Sequence, residues 1–258
     1  MASAKSLFKT QVKELNKKIK KINNGAVTEV EMNKLPKPVK RFLKYAHVIG
    51  KEHSKYIHAK FTGKMKLKPD DGWMSLKIEQ VSYMTKPTRL AYISGSKWGI
   101  LSFAGFDKYE TGKTERSMKL LSFMDIPSAK GEGMVPTAMV SFLSDMALFP
   151  SALLNKYIEW ENIDNLSAKA SIREQQLSAS AIFHFNEQDQ LIRIESNDCY
   201  YSPDGTSLEK AHWSMNYSGY KEINGFIIPT EAKEQWILKT GVFESGEYQL
   251  KDIQLNVL

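Results

Sequence analysis

Val135-Pro136-Thr137-Ala138-Met139-Val140-Ser141-Phe142-Leu143-Ser144-Asp145-Met146, running on through Phe149-Pro150 and Leu153-Leu154 to Trp160, is the stretch on which the fold turns. Val135, Met139, Phe142, Leu143 and Met146 recur three and four residues apart, which puts them on one helical face. Pro136 suits a first turn, where its missing N–H has no intrahelical partner to lose. Pro150 drives the residue before it out of helical conformation, so Phe149 closes the helix. No other long segment after residue 50 reads as helix, and the segments on both sides alternate like strands. The pattern predicts one helix near 135–149, laid across or capping a large antiparallel sheet.

Working outward, strands are expected near 56–67, 73–85, 88–96, 99–110 and 114–124. Pro69-Asp70-Asp71-Gly72, Lys86-Pro87 and Glu110-Thr111-Gly112 supply the turns between them. After the helix, strands are expected near 157–164, 167–175, 178–186, 191–201, 211–223, 227–238 and 243–256. Short connections make consecutive strands pair as hairpins. Five strands, a helix and about seven more strands approach the size at which an open sheet must curl. The expected fold is mainly β: a strongly curved antiparallel sheet with N-terminal helices and the central helix against its concave face. On one strand Ala179, Ala181, Phe183 and Phe185 share an apolar face. On another, Trp73, Glu79, Val81 and Tyr83 face one way, and Met74, Leu76 and Ile78 the other.

The N-terminal region keeps a helical period. Phe8, Val12, Leu15, Ile19 and Ile22 form a narrow apolar seam flanked by Lys9, Lys13, Lys17, Lys18, Lys20 and Lys21, and Asn23-Asn24-Gly25 ends it. Thr28 and Glu31 have capping-box spacing. A second helix is expected from Pro38 through Val39, Phe42, Leu43 and Ala46, closed by Gly50. Residues 1–52 thus form a basic helical arm packed on a sheet domain covering 53–258.

The net charge of +7 is unevenly spread. Residues 1–60 carry 15 Lys+Arg against 4 Asp+Glu, leaving 21 against 25 for the remainder, a balance of −4. A mildly acidic main domain argues against nucleic acid as partner, as does the lack of aromatic residues among Lys17 to Lys21. Residues 5–21 can lie on their own domain, pair with another helix or rest on an anionic membrane surface. No apolar run approaches the ~20 residues of a membrane span, and the N-terminus lacks the apolar core of a signal peptide.

Most catalytic chemistry finds no footing. Cys199 is the only cysteine, which excludes an internal disulfide and leaves a buried, inert thiol as the simplest reading. His47, His53, His58, His184 and His212 show no metal-binding spacing, and there is neither a Gly-x-Ser-x-Gly elbow nor a phosphate loop. No metal or cofactor is expected.

Several motifs occur in a fixed order. Leu35-Pro36-x-Pro38-Val39-x-Arg41-Phe42-Leu43 is followed by Glu79-Gln80, Asp107-x-Tyr109-x-x-Gly112 and Phe149-Pro150-x-Ala152-Leu153-Leu154. Trp160-x-x-Ile163-Asp164, Phe183-x-Phe185, Asp204-Gly205, Trp213, Tyr220, Gly225-x-x-x-Pro229 and Trp236 complete the series. In these the chain resembles a bacterial family known only as a domain of unknown function, from about Phe8 to its end. The resemblance implies a curved, unclosed β-barrel, similar in shape to the lipoprotein carriers (LolA/LolB-like half-barrels) of the cell envelope. It brings no catalytic residues with it and leaves localisation open, a membrane-adjacent or cell-envelope place being the expectation.

Trp73, Trp98, Trp160, Trp213 and Trp236 lie on five different predicted strands or strand edges. A curved sheet could gather several on one concave surface, although core packing accounts for the same rings. With Tyr83, Tyr109, Phe185, Glu79, Asp107 and Arg193 they make the expected ligand-binding set. The reading is non-enzymatic binding of an apolar or amphipathic molecule, such as a lipid or acyl chain. The alternatives are an enzyme using Glu79 or Asp107 as cup carboxylates, with Tyr109 or Arg193 steadying charge, and a structural envelope domain with a filled core.

Overall fold

Alternating residues build one antiparallel sheet of 13 strands. This computed structural model describes residues 3–18, 25–121, 124–126, 133–174, 176–202 and 204–256. Ahead of the central helix come β1 (Tyr56–Met65), β2 (Met74–Tyr83), β3 (Thr88–Lys97), β4 (Leu101–Glu110), β5 (Lys113–Leu120) and β6 (Met124–Ile126). After it come β7 (Ile158–Asn162), β8 (Ser167–Glu174), β9 (Leu177–Phe185), β10 (Leu191–Tyr201) and β11 (Glu209–Ser218). A small separate hairpin, β12 (Lys221–Ile223) and β13 (Phe226–Ile228), precedes β14 (Glu231–Leu238) and β15 (Gly241–Leu255). The helices are α1 (Ala4–Lys18), α2 (Lys37–Tyr45) and α3 (Met134–Asp145).

In space the order is β6-β5-β4-β3-β2-β1-β15-β14-β11-β10-β9-β8-β7. The first and last strands pair at the centre, with Ala59 opposite Ile253. Hairpins stack outward from that pair in both directions, so the edges are β6 and β7, the strands that flank α3 in sequence. The chain must therefore cross from one edge to the other, and α3 lies on that crossing. Met139, Val140, Phe142 and Leu143 of α3 are fully buried in the main core. The edges β6 and β7 do not pair with each other, so the barrel is unclosed, as the resemblance implied.

Curvature has local causes. Register shifts opposite Lys60 and Phe61 and opposite Glu234 and Gln235 bend β15, and shifts between Leu191 and Arg193 and between Ser196 and Cys199 bend β10. At Gly95 a Cβ would collide with the Ser75 carbonyl and the Phe103 ring, so only glycine lets that ring fold over the strand.

Several details depart from expectation. α1 lies on the face of the sheet opposite α3, where Phe8 packs with Tyr56, Val81, Tyr83, Leu90 and Phe106, rather than on the concave face. The amphipathic seam finds an apolar patch there because alternation gives these strands buried side chains on both faces. Ile19, Ile22 and Asn23-Asn24 of the expected helix fall outside the described residues, as does most of the loop expected before α3. A sixth strand, β6, precedes α3. The strands expected near 211–223 and 227–238 are interrupted: the first breaks between Ser218 and Lys221, where Gly219 takes a positive φ, and the second between Ile228 and Glu231, where Pro229 cannot donate to a ladder. The α-helical part of the central helix ends at Asp145, a 3-10 turn covers Met146–Leu148, and the break falls at Phe149. No helix among the described residues is long and apolar enough to cross a membrane.

Candidate ligand cavity

Strand register gathers the polar residues of the concave face. Ala59, Gln80, Ala91, Asp107 and Arg116 stand in one row across β1 to β5. Arg89, two residues before Ala91, shares their face. Its Nε donates to Asp145 Oδ2 at 2.7 Å and its Nη2 to Gln80 Oε1 at 2.8 Å, while Gln80 Nε2 donates to Asp145 Oδ2 at 2.6 Å. Arg116 Nη2 donates to Asp107 Oδ2 at 2.7 Å. Asp145 closes the last turn of α3, so Arg89 also faces the negative end of the helix dipole. Burial would raise the Asp107 carboxyl, but the Arg116 and Arg89 guanidiniums outweigh it and hold the group below the usual range. At Asp145 burial prevails over Arg89 and Gln80, and the carboxyl is pushed up.

The other half of the sheet supplies rings and further carboxylates, Glu231 and Glu234. Trp213 on β11 stands opposite Trp236 on β14. Tyr201 packs on Trp236, with ring centroids 5.5 Å apart. Glu234 accepts one hydrogen bond from Trp213 Nε1 and one from the Tyr248 hydroxyl, both at 2.8 Å. The Tyr248 ring folds back over Gly246, where any Cβ would strike it. Tyr217 anchors α3 by donating to the Ser144 carbonyl at 2.8 Å.

Between these walls and α3 lies a cavity of about 360 Å³, within the size range of small-molecule sites. Phe61, Ile78, Met118, Met215, Trp236 and Phe243 give it apolar walls from six strands. The Arg89 and Arg116 clusters, Glu234 and several hydroxyls interrupt them. A second recess between β4, β5 and α3 adjoins it, sharing Arg89, Asp107 and Arg116.

Of the residues singled out from sequence, Asp107, Trp213 and Trp236 line this cavity, and Tyr109 lines the adjoining recess. Glu79 is not a cup carboxylate: it faces the α1 side, where His58 Nε2 lies 3.0 Å from its Oε1. Tyr83 is on that side too, its hydroxyl donating to Asn16 at 2.7 Å. Trp73 lies under Lys64 and Lys66, and Trp98 is 78% exposed in the β3–β4 turn. Trp160 packs edge-on against Phe183 and donates to the Leu153 carbonyl, while Phe185 packs on Phe42 of α2. Arg193 pairs with Glu195 at 2.7 Å, away from the cavity.

Arg89, Arg116, Asp145, Glu234 and Tyr248 did not stand out from sequence, and Gln80 did so only beside Glu79 in the motif series. Alternation already places Gln80 with Leu76 and Ile78 and opposite Glu79, so that signal was present. The others depend on which strands become neighbours. Cys199 forms part of the wall, its thiol pushed up by burial. Among the described residues no group of three His, Cys, Asp or Glu could hold a metal ion.

Comparison with solved structures finds a LolA superfamily protein from Nitrosomonas europaea, 13% identical, covering 85% of this chain and 94% of that one at a TM-score of 0.41. It also finds a DUF1329 family protein from Desulfovibrio piger, 13% identical, covering 85% of this chain and 92% of that one at a TM-score of 0.42. No curated protein matches the sequence. Residues 25–248 match the family of unknown function DUF6544, and the chain belongs to that family.

Proposed function

We propose that this protein binds an apolar or amphipathic molecule, of the lipid or acyl-chain type, in the cavity between the curved sheet and α3. One observation carries the reading: apolar side chains of six strands face a space of about 360 Å³ that α3 leaves unfilled. A domain whose role was only structural would gain from filling it, since unfilled core volume costs stability. Trp213, Trp236 and Phe243 provide rigid surface for a chain, and the polar clusters provide fixed points for a head group.

The test is native mass spectrometry of the freshly purified protein with lipid extraction, together with binding of an environment-sensitive hydrophobic dye. Binding that weakens about tenfold or more in Trp236→Ala supports the reading. Absence of both co-purifying ligand and dye binding refutes it.

α1 bears on where such a ligand would be exchanged. With its apolar seam held on the sheet, Lys5, Lys9, Lys13 and Lys17 form an exposed row at four-residue spacing. That row suits an anionic lipid surface, at about 1 kcal/mol per lysine. Salt-sensitive sedimentation with anionic vesicles that survives Lys9→Gln, Lys13→Gln and Lys17→Gln together would remove α1 from this account.

A second reading has its own observation. Asp107 and Asp145 face one space with carboxyls displaced in opposite directions, the arrangement of a base and an acid. Turnover of the extracted ligand, abolished by Asp145→Asn in a folded protein, would favour an enzyme.

A further inference from the structure

The two arginine-paired carboxylates of the cavity differ from Glu234. Asp145 has Arg89 at 2.7 Å and Asp107 has Arg116 at 2.7 Å. Glu234 is held only by neutral donors, Trp213 Nε1 and the Tyr248 hydroxyl, and among the described residues no cationic side chain forms an ion pair with it. The Ser245 hydroxyl, on the bulged strand beside Gly246, lines the same cavity. It is buried, with 6% of the residue exposed, and has no hydrogen-bond partner. A buried hydroxyl left unpaired is costly, and a ligand group can satisfy it.

Resting on the reading that the cavity holds an amphiphile, we infer that Glu234 and Ser245 select its head group. They favour a cationic or hydroxyl-bearing head and disfavour an anionic one. The physical reason is charge balance. The lining holds Arg89, Arg116 and Lys66 against Asp107, Asp145, Glu231 and Glu234, one carboxylate in excess; each arginine is opposed by its own aspartate, and Lys66 lies over the Trp73 ring. Glu234 leaves one negative charge facing the space. In a poorly hydrated cavity an added anion is repelled, whereas an ammonium or hydroxyl donor completes the coordination of Glu234. Gly246 matters because it leaves room for Tyr248 to reach Glu234. The selectivity therefore belongs to this strand pair and not to the Arg89 cluster.

The experiment is displacement of a neutral hydrophobic dye from the full chain at neutral pH by dodecylamine, dodecanol and dodecanoate, which share one alkyl chain. The expected result is that the amine and the alcohol compete at concentrations at least about tenfold lower than the carboxylate. In Glu234→Gln the gap between amine and carboxylate should close by about the same factor. The ranking in the native protein decides the matter even if that variant folds poorly. If dodecanoate competes as well as the others, or better, the head-group inference falls and the binding reading stands. If the dye binds and none of the three displaces it, the inference again falls. If the dye does not bind at all, the binding reading fails and takes the inference with it.

Discussion

Arg89 on β3 and Asp145 at the end of α3 meet at 2.7 Å, so a strand from one half of the sheet holds the helix that crosses between its edges. Removing one partner strands a buried charge. Arg89→Ala should destabilise the protein by about 3–5 kcal/mol, measured by chemical denaturation. Arg89→Met combined with Asp145→Leu should recover most of that loss, because the penalty lies in the orphaned charge. Equal destabilisation in the single and double variants would contradict this.

Glu174, at the end of β8, gives the fold a pH dependence of predictable sign. Both its carboxyl oxygens are buried, beside the Tyr109 hydroxyl and the Gly112 backbone. Burial raises its pKa more than the neighbouring Tyr109 hydroxyl, Gly112 amide and Lys86 lower it. A carboxyl raised in the folded state stabilises fully below its unfolded value, and that contribution is lost as pH climbs through the folded one. Stability should therefore decline upward from the ordinary carboxylate range, and Glu174→Gln should flatten the decline. Thermal unfolding of both proteins across that range checks it, and parallel curves would refute it.

Cys199 should be slow to react. Its thiol is buried and pushed up by that burial, with Glu234 contributing, so little thiolate forms at neutral pH. Mass spectrometry after iodoacetamide treatment should find it unmodified in the native protein and fully alkylated in denaturant. Rapid alkylation of the native protein would show that this wall opens.

Phe8 fixes α1 to the sheet. A helix of 15 residues is marginal alone, so its persistence depends on this patch. Phe8→Ala should cost about 3–5 kcal/mol if α1 unfolds with the rest of the protein. A large rise in amide exchange confined to residues 4–18, with global stability kept, would instead show that α1 detaches independently.

The sequence by itself determined the class of fold. Period-two alternation, short polar turns and a single long return to the helical period are local properties, readable without knowing any partner. The same is true of the break at Phe149, which follows from Pro150 and backbone sterics alone. The candidate site was only partly legible: Asp107, Trp213 and Trp236 reach the cavity wall, whereas Glu79, Trp98 and Arg193 face elsewhere. Alternation fixes which residues of one strand share a face. It cannot say which face becomes the inside, nor which strands adjoin. Only the tertiary structure decided that β1 pairs with β15, which makes β6 and β7 the edges and sends α3 across the gap. Only it decided that Glu234, Tyr248 and Trp213, on three separate strands, meet at one carboxylate. Such contacts depend on the burial and register of the whole sheet, and no short window of sequence contains them.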